Sequence, residues 1–162
     1  MILKTERLLL RHFTMDDLDL IVDINNHPEC IRFNRWDSMS VEDCQASLER
    51  WIAQYADFPA GSGVFCVENF MQEKVGMAFL IPCDDSEFEL GFRLRRCHWE
   101  KGYATELSRA LIQHAKEQLH AVAGIGIVHK DNQRSCRVFE NLSFSCQPHP
   151  QGGDGLLYRF EL

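Results

Sequence analysis

Several features that would place a chain in a broad class are missing from this sequence. Its seven cysteines include no C-x-x-C pair, and an odd number fits neither a disulfide framework nor a zinc ribbon. Free thiols in a reducing cytoplasm are therefore expected. No apolar run approaches the roughly 20 residues of a membrane span, and the charged residues near the start are not typical of a signal peptide. The sequence thus predicts a cytoplasmic protein with no metal site and no membrane association.

Cationic side chains are also scarce. The 17 lysines and arginines are outnumbered by 24 aspartates and glutamates, so the formal net charge is −7. An acidic surface repels the phosphate backbone of nucleic acids, and we expect no nucleic-acid partner. A cationic partner such as an amine would suit this charge better. A helix surface with Asp16, Asp17, Asp19 and Asp23 is consistent with such a partner, and equally with a solvated face.

No repeat, low-complexity stretch or linker divides the chain, so residues 1–162 are expected to form a single domain. Hydrophobic periodicity and turn residues predict the order of its elements. They are a strand at 7–13, helices at 15–26 and 41–55, strands at 63–69, 74–83 and 87–94, a helix at 103–119, a strand at 121–128, a helix at 132–142 and strands at 144–146 and 155–162. This order predicts an α/β (α+β) fold with a mixed, mostly antiparallel sheet and helices on its faces.

The segment CHWEKGYATE, residues 97–106, places two small residues, Gly102 and Ala104, where a helix begins. The first N–H groups of a helix have no partner within it, and the helix dipole adds partial positive charge there. Small side chains let an anion approach these amides closely. Four charged side chains give this turn a net charge of +2: Arg95, Arg96, Glu100 and Lys101. The segment therefore predicts a phosphate-binding site.

Three segments of the chain, in this order, resemble the GNAT acetyltransferases. They are TERLLLRHFTMDDLDLIVDINNHPECIRF (5–33), ELGFRLRRCHWEKGYATELSRALIQHA (89–115) and VHKDNQRSCRVFENLSF (128–144). The resemblance covers nearly the whole chain and is nearest to the branch that includes the ribosomal-protein alanine N-acetyltransferases. It implies acetyl-CoA as co-substrate, no metal, and a V-shaped splay between two central strands.

The resemblance also implies where acetyl-CoA lies. Backbone groups of the first splayed strand pair with the pantetheine arm, amides at 100–105 hold the pyrophosphate, and Asn132 and Ser135 contact the cofactor near its thiol. The implied cofactor-binding residues are Phe92, Arg93, Leu94, Arg95, Glu100, Lys101, Gly102, Tyr103, Ala104, Thr105, Asn132 and Ser135. Two positions depart from the family: Trp99 replaces a frequent Gln or Arg, and Ser143 replaces a glycine. If that glycine position needs a positive φ, serine costs roughly 1 kcal/mol there.

Acetyl transfer to an amine requires a neutral amine, a stabilised carbonyl oxygen and a leaving thiolate. An α-amine has a pKa of about 8, so a carboxylate acting through water is a sufficient base. Glu89 is the first candidate, unless it is paired with Arg93 or solvated. His129 is the second, unless it is a surface histidine. Ser135, and in reserve Tyr158, could protonate the thiolate, although a strand tyrosine is more often a packing residue. A backbone N–H near the end of the first splayed strand would meet the oxyanion.

The expected function is therefore an acetyl-CoA-dependent N-acetyltransferase, acting by direct attack on a protein N-terminus or a small-molecule amine. The alternatives are a non-catalytic CoA-binding sensor and an interaction domain of the same fold. The acceptor pocket is expected between the first two helices and the loop QPHPQGGDG (147–155). Both a monomer and a homodimer remain open.

Overall fold

A computed structural model describes residues 2–34, 36–84 and 86–161, which form eight strands and five helices. The strands are β1 Leu3–Lys4, β2 Leu8–His12, β3 Gly63–Asn69, β4 Lys74–Asp84, β5 Glu87–Leu94, β6 Ala123–His129, β7 Ser145–Pro148 and β8 Gly155–Glu161. The helices are α1 Leu18–Asn26, α2 Pro28–Ile31, α3 Val41–Gln54, α4 Tyr103–Gln118 and α5 Gln133–Glu140. Within these residues, no helix has the length and apolar character needed to cross a membrane.

The strands lie in one sheet in the order β1-β2-β3-β4-β5-β6-β8-β7. All neighbouring pairs are antiparallel except β5 and β6, which are parallel. This confirms the predicted mixed, mostly antiparallel sheet. The short strand β1 and the helix α2 were not predicted. Pro28 begins α2, where its missing N–H costs no hydrogen bond.

Helices cover both faces of the sheet, as predicted. On one face α1 and α3 bury Ile24 and Leu48 against the strands. On the other, α4 and α5 bury Leu107 and Phe139. Alternate residues of each strand therefore contribute to two different cores.

The two central strands separate part of the way along their length. Within the described ranges, pairing between β5 and β6 covers Glu87–Glu89 and Ala123–Ile125, although the strands continue to Leu94 and His129. A parallel pair needs a crossover connection, and α4 supplies it. The separation beyond Glu89 is the splay that the family resemblance implied.

Candidate functional site

A cleft of about 900 Å³ lies between the diverging ends of β5 and β6. Ten of the twelve predicted cofactor-binding residues line it: Phe92, Arg93, Leu94, Glu100, Gly102, Tyr103, Ala104, Thr105, Asn132 and Ser135. The structure thus brings together residues from β5, α4 and α5. Nowhere in the described ranges do three or more His, Cys, Asp or Glu side chains form a group that could hold a metal ion.

One wall of the cleft is a strand edge with free backbone groups. The N–H of Arg95 bonds to the carbonyl of Val75 at 2.9 Å, so the odd-numbered residues of β5 bond to β4. The main-chain groups of Phe92 and the N–H of Leu94 therefore point towards the cleft, where no described strand pairs with them. An extended ligand could add to this edge as a further strand. The main-chain groups of Arg93 face β4 instead.

The opposite end of the cleft presents the first amides of α4. The first hydrogen bond of this helix runs from the N–H of Glu106 to the carbonyl of Gly102, at 3.2 Å. The N–H groups of residues 103–105 consequently have no partner within the helix. Gly102 has a φ of 79°, and a Cβ added there would meet only Arg7, at 3.4 Å. Glycine is therefore needed here for its left-handed backbone, more than for the space it leaves.

The cations predicted to surround this turn are directed elsewhere. The guanidinium of Arg95 lies outside the cleft and pairs with Asp19 at 2.8 Å and Asp23 at 3.0 Å. Lys101 also lies outside the cleft. Arg96 pairs with Glu29 at 2.7 Å. The predicted charge of +2 is thus largely neutralised by carboxylates that lie far away in the sequence.

The acidic surface of α1 is explained by the same ion pairs. Asp17 is buried, and its carboxylate accepts hydrogen bonds from Arg11 at 2.7 and 2.9 Å. Burial alone would raise the pKa of Asp17, but the bonds from Arg11 outweigh it and lower that pKa to about 2. Asp19 pairs with Lys74 at 2.6 Å. Asp17 therefore acts within the fold, whereas Asp16, Asp19 and Asp23 are exposed and agree with the alternative of a solvated face.

Trp99 joins the two sides of the cleft. Its indole N–H donates to the carbonyl of Leu94 at 2.9 Å. The guanidinium groups of Arg96 and Arg134 each lie 4.9 Å from its ring centroid. Arg134, from α5, also reaches Glu100 at 3.2 Å. Sequence reasoning noted Trp99 only as a departure and missed Arg134, whose position opposite Trp99 depends on the tertiary fold.

Glu89 lies where β5 and β6 part, next to the cleft but not among the residues that line it. It is partly buried, with no hydrogen bond or ion pair to any described residue, so the predicted alternative of a pair with Arg93 does not hold. Burial raises the pKa of Glu89, and the charge of His149 opposes this weakly. A raised pKa brings a carboxylate closer to the range in which a general base is effective.

Three further candidates occupy the other side of the cleft. His129 ends β6 and lines the cleft with its ring 5.2 Å from that of Phe33. Asn132 caps α5, where its Oδ1 accepts from the N–H of Ser135 at 3.3 Å. This bond holds Ser135 on the first turn of α5, beside the cleft.

Tyr158, the reserve candidate, lies in the core. Its side chain is 1% exposed and stacks on Phe139 with a centroid distance of 5.3 Å. Its hydroxyl donates to Glu140 at 3.4 Å, and burial raises the pKa of that hydroxyl. Tyr158 does not line the cleft, and its position agrees with the packing alternative.

Comparison with known proteins identifies the architecture. The profile of the family described as "Acetyltransferase (GNAT) domain" matches residues 7–145. A Bacillus licheniformis relative named "Uncharacterized N-acetyltransferase p20" is 24% identical over 144 residues, which are 88% of this chain and 81% of the relative. An acetyltransferase structure from Agrobacterium tumefaciens is 25% identical with a TM-score of 0.83, over 99% of this chain and 94% of the other. The microcin C7 self-immunity acetyltransferase MccE, solved with acetyl-CoA and AMP, is 13% identical with a TM-score of 0.78, over 97% and 93%.

Proposed function

The chain belongs to the GNAT acetyltransferase family, and we propose that it is an acetyl-CoA-dependent N-acetyltransferase that acts on a primary amine. The observation that carries this proposal is the cleft itself. It has an unpaired strand edge along β5 and the free amides at the start of α4. A molecule with an amide-rich arm and a diphosphate matches both features.

Acetyl-CoA supplies the activated acetyl group and a thiolate leaving group. The main-chain groups of Phe92 and Leu94 would bond the amides of its pantetheine arm. The N–H groups of residues 103–105 would hold the diphosphate, because a helix N-terminus combines free donors with partial positive charge. Asn132 and Ser135 would contact the cofactor near the reacting thioester.

Glu89 is the proposed general base. Its carboxylate would take the proton of the amine through a water molecule, which is sufficient for an amine of pKa about 8. His129, across the splay, is the second candidate. The N–H of Leu94, directed into the cleft, would stabilise the oxygen that gains negative charge. The Ser135 hydroxyl would give a proton to the departing thiolate, since Tyr158 is enclosed in the core.

Two measurements test this proposal. Saturating CoA should raise the melting temperature, because a ligand at 100 times its Kd stabilises a fold by about 2.7 kcal/mol. Thiol release from acetyl-CoA in the presence of an amine panel should then exceed the release without amine. An unchanged melting temperature would leave only the interaction domain, and binding without amine-dependent release would leave the CoA sensor.

A further inference from the structure

Arg93, on the wall of the cleft, has no acidic partner. The other described arginines that are shielded from solvent all form ion pairs: Arg11 with Asp17, Arg95 with Asp19, Arg96 with Glu29 and Arg159 with Glu87. Arg93 is partly buried, yet within the described residues no carboxylate lies in ion-pair range of it. Among those residues it donates only to neutral oxygens, Asn25 Oδ1 at 2.7 Å and the Ile24 carbonyl at 3.3 Å. A buried cation without an anion is costly.

A donor without a hydrogen-bond partner lies in the same cleft. The side-chain amide nitrogen of Asn34 is buried and has no hydrogen-bond partner in the described part of the chain. Both Asn34 and Arg93 line the cleft. Two residues further on, Trp36 places its ring 5.8 Å from the guanidinium carbon of Arg93. A buried amide donor without an acceptor and a guanidinium without a carboxylate, both lining one cleft, point to a ligand rich in acceptor oxygens.

The pKa directions agree with this geometry. Pairing raises the pKa of Arg11 beside Asp17 and that of Arg159 beside Glu87. Burial lowers the pKa of Arg93, and the thiols of Cys30 and Cys44 oppose this only in part. A bound anion would reverse that direction.

The position of Arg93 relative to the candidate base suggests how an acceptor would lie. Glu89 and Arg93 are on the same face of β5, about 13 Å apart along the strand. Between them Gly91 has no side chain, and the ring of Phe79 occupies that space. The ring of Phe79 thus forms an apolar surface between the position of Glu89, which is not among the residues that line the cleft, and Arg93, which lines it.

We propose that the acceptor is a small amine that carries an anionic group, a carboxylate or phosphate, bound by Arg93 and Asn34. This inference rests on the proposed function. A guanidinium binds both anions through paired N–H donors, and an amino acid is the simplest molecule of this class. The amine nitrogen would form a bond to the acetyl carbon as the C–S bond breaks. Its proton would pass through water to Glu89, and the thiolate would take a proton from Ser135.

Turnover of matched amines tests the anion requirement. Amino acids are compared with their carboxamides, and 2-aminoethyl phosphate is compared with ethanolamine. The quantity compared is kcat/KM, calculated for the concentration of unprotonated amine. Wild type should prefer at least one anionic series by about ten- to hundredfold, and the series that gains identifies the anion. Arg93→Met should remove this preference. Arg109→Met, an exposed arginine outside the cleft, is the control and should keep it.

A binding measurement separates this inference from the proposed function. With CoA present, N-acetylleucine and N-acetyl-leucinamide are compared as ligands of wild type by thermal melting, alongside N-acetyl-2-aminoethyl phosphate and N-acetylethanolamine. A shift with an anion but not with its neutral partner supports the anion site, even if no amine is acetylated and the enzyme proposal fails. Equal kcat/KM for anionic and neutral amines together with equal melting shifts in wild type would overturn the inference. A preference that survives in Arg93→Met would overturn it as well.

Discussion

Replacing Ser143 with glycine should stabilise the protein, because serine occupies a backbone conformation that suits glycine. Ser143 has a φ of 62°. The N–H of Ser143 bonds to the Glu140 carbonyl at 3.0 Å, and that of Phe144 to the Phe139 carbonyl at 3.2 Å. This is the Schellman end of a helix, with the Phe139 and Phe144 rings 5.0 Å apart as its apolar contact.

The size of the effect follows from two opposing costs. A left-handed conformation costs a non-glycine residue about 1–2 kcal/mol. Glycine has more freedom in the unfolded chain, which returns about 0.4–1 kcal/mol of that gain. The net stabilisation should be about 0.5–1 kcal/mol, or about 1–4 °C in melting temperature for a chain of this size. Ser143 is exposed, so the loss of its hydroxyl should matter little.

Differential scanning calorimetry of Ser143→Gly, with Ser143→Ala as the control, measures this difference. The alanine variant loses the hydroxyl but keeps the Cβ, so it should remain within about 0.5 kcal/mol of wild type. CoA affinity should stay the same in both variants, because Ser143 does not line the cleft. The reasoning fails if glycine gives no more stability than alanine.

Four further predictions concern the cleft and its supports. Gly102→Ala should weaken CoA binding, as measured by isothermal titration calorimetry. Gly152 has a similar φ of 76° but does not line the cleft, so Gly152→Ala should lose comparable stability and bind CoA normally. Glu89→Gln should lower kcat/KM most at low pH, where the amine most needs a base; a loss independent of pH would indicate positioning. Arg134→Gln should raise the Kd for CoA and reduce its salt dependence, because a cation leaves the cleft; an unchanged Kd would argue against that role. Asp17→Asn should destabilise the fold by about 2 kcal/mol or more at pH 7. The pKa of Asp17 is lower in the folded protein than in the unfolded chain, and this difference stabilises the fold at any pH above the unfolded pKa. In denaturant titrations this deficit should shrink as pH falls from about 4 towards 2, and a constant deficit would contradict the assignment.

The sequence predicted those parts of the site that depend on local pattern. Gly102, directly before a helical run, indicated the free N–H groups of residues 103–105. Alternation along β5 placed Glu89 and Arg93 on one face. The glycine expected at position 143 gave the condition under which Ser143 would be strained, and its positive φ meets that condition.

The partners of the charged side chains could not be read in this way. Arg95 reaches Asp19 across 76 positions of the sequence, and no short-range pattern encodes such a pair. Likewise, alternation along β8 does not determine which face Tyr158 occupies. Its pairing with Gly126 on β6 places it beside Phe139 in the core.

The short contact between β5 and β6 has a consequence for how the molecule responds to its ligand. Among the described residues, the ladder between β5 and β6 pairs three positions on each strand, and it joins the ribbon of β6, β8 and β7 to the other five strands. A molecule bound beyond these paired residues would form main-chain hydrogen bonds where the two strands do not pair with each other. Occupancy of the cleft should therefore slow amide hydrogen exchange in the C-terminal ribbon as well as at the contact residues, so that ligand and sheet behave as one cooperative unit.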